Sequence, residues 1–296
     1  MLKSPFNYIG GKYRLLRQLL PLFPIGINTF VDLFTGGLDV SLNVRAKVTC
    51  CNDINHYLID IYTHFQQLTL EHLFADINTA IARYQLSLTN QEGYLRLRAD
   101  YNATHEPLLL FLLTCYGFNH QLRFNSRGEF NNPFGRNRSE YNANIQANLA
   151  HMHRRIQKFQ FTALNFKDFD VSHLQTGDFL YADPPYLISC GSYNDGKRGF
   201  EGWSEADDMQ LFKLLDELNA RNVQFALSNV TSHKGEVNQA LIDWAGKYHT
   251  HHIDYRYNNS SYHQKNRQPD TDEVLITNYK NHGLQNLWMD SEPIVV

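Results

Sequence analysis

The stretch FLYADPPYLIS, residues 179–189, sets a carboxylate, two prolines and an aromatic ring at the end of an apolar run. Neither Pro184 nor Pro185 can donate a backbone hydrogen bond, so a buried strand over residues 179–182 must stop at Asp183. These residue types fit one chemical task. An exocyclic aromatic amine is a poor nucleophile, because its lone pair is delocalised into the ring. If the Asp183 carboxylate and the Pro184 carbonyl accept its two N–H bonds, the nitrogen becomes more tetrahedral and its lone pair turns outward. The fixed φ angles of the prolines hold that carbonyl in place. Tyr186 offers a ring on which a flipped-out base can stack. Asp183, Pro184, Pro185 and Tyr186 are therefore the expected catalytic group, a cradle for a base that carries an amine.

The amine needs an electrophile, and the sequence contains no legible metal cluster and no nucleophile–base set. The fourteen histidines are scattered, with only His151-x-His153, His249 and His251-His252 close together, and they read as surface or packing residues. No metal is expected. A cofactor that carries its own activated group fits, the simplest being a sulfonium methyl donor.

Two other stretches bear on that cofactor. In FVDLFTGGLDV, residues 30–40, glycines directly after a strand let a ligand approach the backbone, and a helix over 38–44 would turn its N-terminus toward it. Close packing alone would also account for Gly36-Gly37. Asp53 ends a second strand about 20 residues after the first turn, where an acid typically accepts hydrogen bonds from ribose hydroxyls. It could equally cap the helix that follows. NYIGGK, residues 7–12, lacks the GxxxxGKS/T pattern and no strand precedes it, so it is no phosphate loop. Lys12 is either a point charge for a carboxylate or an exposed helix lysine.

The elements that must position these residues are those of an α/β fold. Residues 11–20 read as a helix; 29–34, Gly36-Gly37, 38–44 and 48–51 read as strand, turn, helix and strand, the opening of a doubly wound sheet. Residues 55–118 change character, with helical periodicity over 56–68, 70–86, 91–102 and 108–118. A hairpin is expected from 121–124 to 129–131 around Asn125-Ser126-Arg127-Gly128, then a helix over 142–157. Strands resume at 160–164, 179–182, 224–228, 250–255 and 273–277, with a helix over 204–219 and a polar, weakly anchored loop over 258–271 that should be mobile without a partner. Residues 1–54 and 143–296 thus form a catalytic α/β domain, and 55–142 an inserted helical and hairpin domain.

Composition bounds the function. A chain of 296 residues with 43% hydrophobic content can bury a large core. No stretch approaches the ~18 apolar residues of a membrane span, and the first residues lack an apolar signal core. Four irregularly placed cysteines without a CxxC pair suggest a cytoplasmic protein. The net charge of −3 argues against a generic nucleic-acid binder. Between His120 and Lys158, however, seven basic residues face two acidic ones, interleaved with Phe124, Phe130, Phe134 and Tyr141. That stretch is either a solvated basic face or a nucleic-acid surface.

The order NYIGGK, FVDLFTGGLDVSLNV, CNDIN, insert, DFLYADPPY resembles the Dam-type (alpha-group) DNA adenine N(6)-methyltransferases, over nearly the whole chain. LRFNSRGEFNNPFG, NFKDF and DEVLITNY extend the likeness, which leans toward bacteriophage-type members. The resemblance implies a class I, Rossmann-like fold, S-adenosyl-L-methionine as cofactor, double-stranded DNA as partner, base flipping, and a target of GATC. It implies cofactor contacts at Tyr8, Lys12, Asp53 and Asp183, with Phe34, Gly36 and Phe166 lining the pocket; Tyr8 stands where many members carry Trp. DNA contacts are expected from Phe118, Asn119, Gln121, Arg123, Asn125, Arg136 and Arg138 in the insert. A cytosine N(4)-methyltransferase and a catalytically silent DNA-binding protein are the rival readings.

Overall fold

The structure, a computed structural model, describes residues 1–188, 202–254 and 271–280. Cys190, all of the 258–271 loop except Thr271, and the tail after residue 280 lie outside them.

The strands are β1 (Ile27–Asp32), β2 (Ala46–Asn52), β3 (Phe159–Thr162), β4 (Phe179–Ala182), β5 (Gln224–His233), β6 (Glu236–Val237), β7 (His249–Ile253) and β8 (Thr271–Thr277). The helices are α1 (Leu16–Leu19), α2 (His56–Gln67), α3 (Leu70–Tyr84), α4 (Gln91–Thr104), α5 (Pro107–Tyr116), α6 (Ala143–Ile156), α7 (Glu205–Ala220) and α8 (Gln239–Ala245). All strands join one sheet in the order β3-β2-β1-β4-β5-β8-β7, with β6 beside β5. β1 to β5 are parallel where they pair, and β8 runs antiparallel to both β5 and β7. The order reverses between β1 and β4. Ligands bind outside the carboxyl ends of strands at such a switch point, and the TGG and DPPY segments both lie there.

Residue alternation explains why the sheet is covered on both faces. Val31, Leu180, Ala182, Leu227 and Ile276 pack on one side with Leu211 and Leu215 of α7 and Leu241 of α8. Phe30, Phe179, Tyr181, Ala226 and Leu275 face the other side with Leu16 and Leu19 of α1. The insert shares a third cluster: Ile77, Leu97, Phe111 and Phe130 pack together with Leu42, Cys51, Met152 and Phe159. α5 is apolar on every side and buried from Leu109 to Tyr116, as the central helix of that cluster must be.

Four local expectations change. Residues 38–44 form turns, with helical bonds only from the amides of Leu42 and Val44. Leu38 adopts φ 69°, and Asn43 spends its amide on Leu2 and Asp39 carbonyls, so no regular helix presents an N-terminus to the cleft. The first helix is short, Leu16–Leu19 followed by a 3₁₀ turn, which leaves Lys12 in a turn. The hairpin is reduced to one bridge, Phe124 to Phe130, flanked by bonds from Asn125 N to Glu129 O and Asn131 N to Arg123 O. The Asn102 side chain takes the Phe130 amide (2.8 Å) and carbonyl (3.2 Å), groups that a third strand would otherwise need. Thr271 belongs to β8, not to the polar loop, and α8 and β6 carry no expectation from the sequence.

Candidate active site

The carboxyl ends of β1, β2 and β4 open into one cleft of about 1030 Å³. Asn52, the last residue of β2, holds its floor. Its amide donates to the carbonyls of Leu33 (3.1 Å) and Leu164 (3.0 Å), and its oxygen accepts from Thr162 Oγ1 and Leu164 N. One side chain therefore fixes the loops that follow β1 and β3 relative to Asp53.

Asp53 is buried, and each of its oxygens accepts one backbone amide. Oδ1 accepts from Asn55 N at 2.8 Å and Oδ2 from Gly36 N at 2.8 Å. Burial raises its pKa, opposed by those two bonds. The Asn55 contact is what a residue ahead of α2 would make. The Gly36 contact is different: it ties the acid to the turn after β1. Gly36 adopts φ +45°, and a Cβ there would stand 2.8 Å from Tyr8 Cε1. Only glycine fits, because the Tyr8 ring lies against that turn. The two motifs NYIGGK and TGG thus meet through a ring on a bare backbone. Tyr62 donates to the Gly36 carbonyl at 2.7 Å from beneath.

The second half of the cleft centres on Asp183. Lys12 Nζ lies 2.9 Å from Asp183 Oδ1 and 3.5 Å from Glu273 Oε1. The Tyr186 hydroxyl donates to Asp183 Oδ1 at 2.8 Å and reaches Glu273 Oε1 at 3.2 Å. Lys12 is buried at 7% exposure, which replaces the reading of an exposed lysine. Burial pulls its pKa down, but the charges of Asp183 and Glu273 outweigh that and leave it above the usual lysine value. Burial, then the neighbouring Asp183, lifts the Tyr186 phenol far above its ordinary range. Tyr186 is half-buried with its hydroxyl anchored; Pro184 is buried and Pro185 exposed.

All seven expected cofactor residues, Tyr8, Lys12, Phe34, Gly36, Asp53, Phe166 and Asp183, line this one cleft. So do Pro184, Pro185 and Tyr186. The seven expected DNA contacts do not; they stand outside it, while His120, Leu122 and Phe124, interleaved with them, do line it. Asn7 Nδ2 donates to the Asn119 carbonyl (3.0 Å), which joins the N-terminal loop to that rim. Phe118 and Arg123 are exposed. Arg138 stacks on Phe118 at 4.8 Å and Arg136 reaches Gln91. Asn125 is committed to its own turn, accepting from the amides of Arg127 and Glu129.

Sequence reasoning missed three cleft residues. Trp203 completes an aromatic trio with Phe34 and Phe166, centroids 5.3–5.6 Å apart. Glu273 was visible only as part of DEVLITNY. Asp32 offered a signal, an acid inside an apolar run, and its role is clear only in the fold. Oδ2 accepts from Thr35 and Ser41 while Oδ1, fully buried, has no partner among the described residues. Burial pushes its carboxyl up to about 7. Because the folded pKa is raised, the native state holds a proton that the unfolded chain releases above pH 3.8. This contribution to stability is complete below that value and lost as pH rises through about 7. Thermal melts of the ligand-free protein should therefore fall between pH 5 and pH 8 by roughly 5–10 °C more in wild type than in Asp32→Asn, the order expected for about 2–4 kcal/mol. Parallel pH curves for the two proteins would rule this out.

Among the described residues no group of three His, Cys, Asp or Glu side chains could hold a metal ion, and no helix is long and apolar enough to cross a membrane.

Comparison with known proteins bears on the same site. Modification methylase StsI of Streptococcus sanguinis is 47% identical over 283 residues, 94% of this chain and 43% of that protein. Type II methyltransferase M.FokI of Planomicrobium okeanokoites is 45% identical over 283 residues, 95% of this chain and 43% of its own length. A DNA adenine methylase of Salmonella typhi is 30% identical over 228 residues, 75% of this chain and 79% of that protein. The chain thus spans less than half the length of StsI and M.FokI. These relatives are a modification methylase, a type II methyltransferase and a DNA adenine methylase, each of a bacterium, which corrects the leaning toward bacteriophage-type members. Residues 8–270, which carry Tyr8, Lys12, Asp53 and the Asp183 cradle alike, match the D12 class N6 adenine-specific DNA methyltransferases, and the chain belongs to that family.

Proposed function

We propose that the protein transfers a methyl group from S-adenosyl-L-methionine to the exocyclic amine of an adenine flipped out of duplex DNA. The observation that carries this reading is the continuity of the cleft: the Asp183-Pro184 acceptors and the Asp53–Gly36 wall line one cavity. The buried groups in it fit a cationic cofactor. Asp32, Asp39, Asp53 and Glu273 are buried there, and Lys12, the buried lysine among the described lining residues, pairs with Glu273. The unpartnered Asp32 Oδ1 is an acceptor that an ammonium would satisfy.

In this reading Asp53 and the Gly36 turn hold the ribose, Tyr8, Phe34 and Phe166 enclose the cofactor, and Asp32 receives its ammonium. The cofactor supplies a methyl group on a sulfonium, which departs as a neutral thioether. Asp183 and the Pro184 carbonyl accept the two amine hydrogens and turn the nitrogen lone pair outward; Tyr186 stacks on the base. The new N–C bond makes the nitrogen cationic, so its proton is acidic, and Asp183 need not be a strong base to receive it.

Residues 55–142 recognise DNA, with the single-bridge loop at the rim of the cleft. The likeness to modification methylases favours a partner in a restriction–modification pair. Plasmid DNA from expressing cells, challenged with methylation-sensitive nucleases of differing specificity, tests activity and target together, GATC first. Complete sensitivity to every such nuclease, with no label incorporated from methyl-labelled cofactor, would refute the reading.

Arginine in a groove pairs with both acceptors of a guanine edge, whereas a phosphate contact is blind to sequence. Arg123 is exposed, and among the described residues no hydrogen bond or ion pair engages its guanidinium, which leaves that group free for a base. Arg123→Ala, or a change at Arg136 or Arg138, should cost about 1–3 kcal/mol at one base pair and raise methylation of one-base variants relative to the true site. Equal loss on all sequences, with a salt slope lower by about one, would make all three phosphate contacts.

A further inference from the structure

Beside Lys12, Asp183 and Tyr186 sits a further acid, Glu273, to which the methyl-transfer reading assigns no step. Glu273 is 8% exposed and opposite Val230 in the β5–β8 pairing. Because β8 runs antiparallel, its start lies beside the carboxyl end of β5, which puts Glu273 at the cleft although it opens a strand. There, one ammonium serves two carboxylates: Lys12 Nζ is 2.9 Å from Asp183 and 3.5 Å from Glu273, and the Tyr186 hydroxyl spans the same two acids.

This arrangement poses a conflict. Asp183 Oδ1 already accepts from an ammonium and a phenol, so a target amine that takes this oxygen meets donors already in place. An ammonium expelled into the protein would be a buried unpaired charge, and two neighbouring carboxylates without it would repel. A short shift of Nζ from Asp183 toward Glu273 avoids both.

We propose that Glu273 is a positioning residue that takes over the Lys12 ammonium when the target amine occupies Asp183, so that the base displaces a cation without leaving any charge unpaired. The proposal rests on the amine-cradle reading above. Its alternative is that Glu273 only braces the Tyr186 hydroxyl.

The two differ in what the amine itself contributes. Binding is measured for the full chain, saturated with S-adenosylhomocysteine, on a duplex it methylates and on the same duplex with purine, which lacks the amine, at the target. Wild type should prefer adenine by about tenfold, the worth of one to two net hydrogen bonds. Glu273→Gln, equal in shape, should lose most of that preference while affinity for the purine duplex stays within about twofold, which also shows that the variant folds. Adding Lys12→Met to Glu273→Gln frees Asp183 again and should restore most of the preference, a coupling that bracing alone would not produce. Equal weakening on both duplexes, an unchanged preference in Glu273→Gln, or no recovery in the double variant each overturns the role of Glu273 alone. A wild type that methylates the duplex yet shows no preference for adenine overturns the cradle reading and this proposal with it.

Discussion

Replacing Asp183 with alanine is expected to lower methyl transfer by about a thousandfold or more while the fold survives. In the proposed cradle the carboxylate is the acceptor that turns the amine lone pair outward, and removing one such preorganised partner commonly costs two to three orders of magnitude. The structure adds a second effect. Asp183 is the nearer anion to Lys12, at 2.9 Å, and without it the ammonium keeps only Glu273 at 3.5 Å. The cradle would lose its acceptor and retain a cation near where an amine must bind. Asp183 closes a strand whose four residues are held by β1 and β5, so the sheet does not depend on it. Label transfer from methyl-labelled cofactor, read beside a thermal melt, checks both halves. Activity within about tenfold of wild type would end the cradle hypothesis.

The second large effect is expected at Asp53. Its carboxylate accepts from Gly36 N and Asn55 N, so alanine leaves two buried amides without partners, at roughly 1–3 kcal/mol each where they stay buried. A capping acid needs only the Asn55 contact. The Gly36 contact fixes the turn on which the Tyr8 ring rests, and in the proposed site the same carboxylate receives the ribose. Asp53→Ala should therefore weaken cofactor binding by about a hundredfold, beyond any loss of stability. Calorimetry that finds the affinity unchanged, with only the melting temperature lowered, would return Asp53 to a purely capping role.

Local signals carried the parts of the chain where hydrophobic period and chain breakers agree. β4 is Phe179–Ala182 as expected, because an apolar run meets two prolines and no competing element can claim it. α2, α4, α5 and α6 fall within a few residues of their expected spans, since their apolar faces recur at helical spacing. Expectations failed where backbone groups found partners distant in sequence. The hairpin kept a single bridge, and Asn102, 28 residues away from Phe130, takes the edge groups that a third strand would otherwise pair. The helix over 38–44 gave way to turns where Leu38 takes φ 69°, and the Asn43 side chain there bonds Leu2, 41 residues away. Neither partner leaves a trace in a window of a dozen residues.

The residue types and order of DPPY by themselves pointed to the chemistry proposed for this chain, because a carboxylate beside rigid carbonyls has few other uses at a strand end, whereas TGG and NDIN left packing and capping open. Apolar runs of strand length around a helical insert pointed to a doubly wound sheet. The tertiary structure alone decided how those motifs combine. The reversal of strand order between β1 and β4 brings TGG and DPPY into one cleft, and the antiparallel β8 carries Glu273 back from position 273 to meet Lys12. Whether Lys12 is an exposed charge or a buried counter-ion depends on two acids 171 and 261 residues away. Charge pairing depends on distance in space, and chain closure sets that distance.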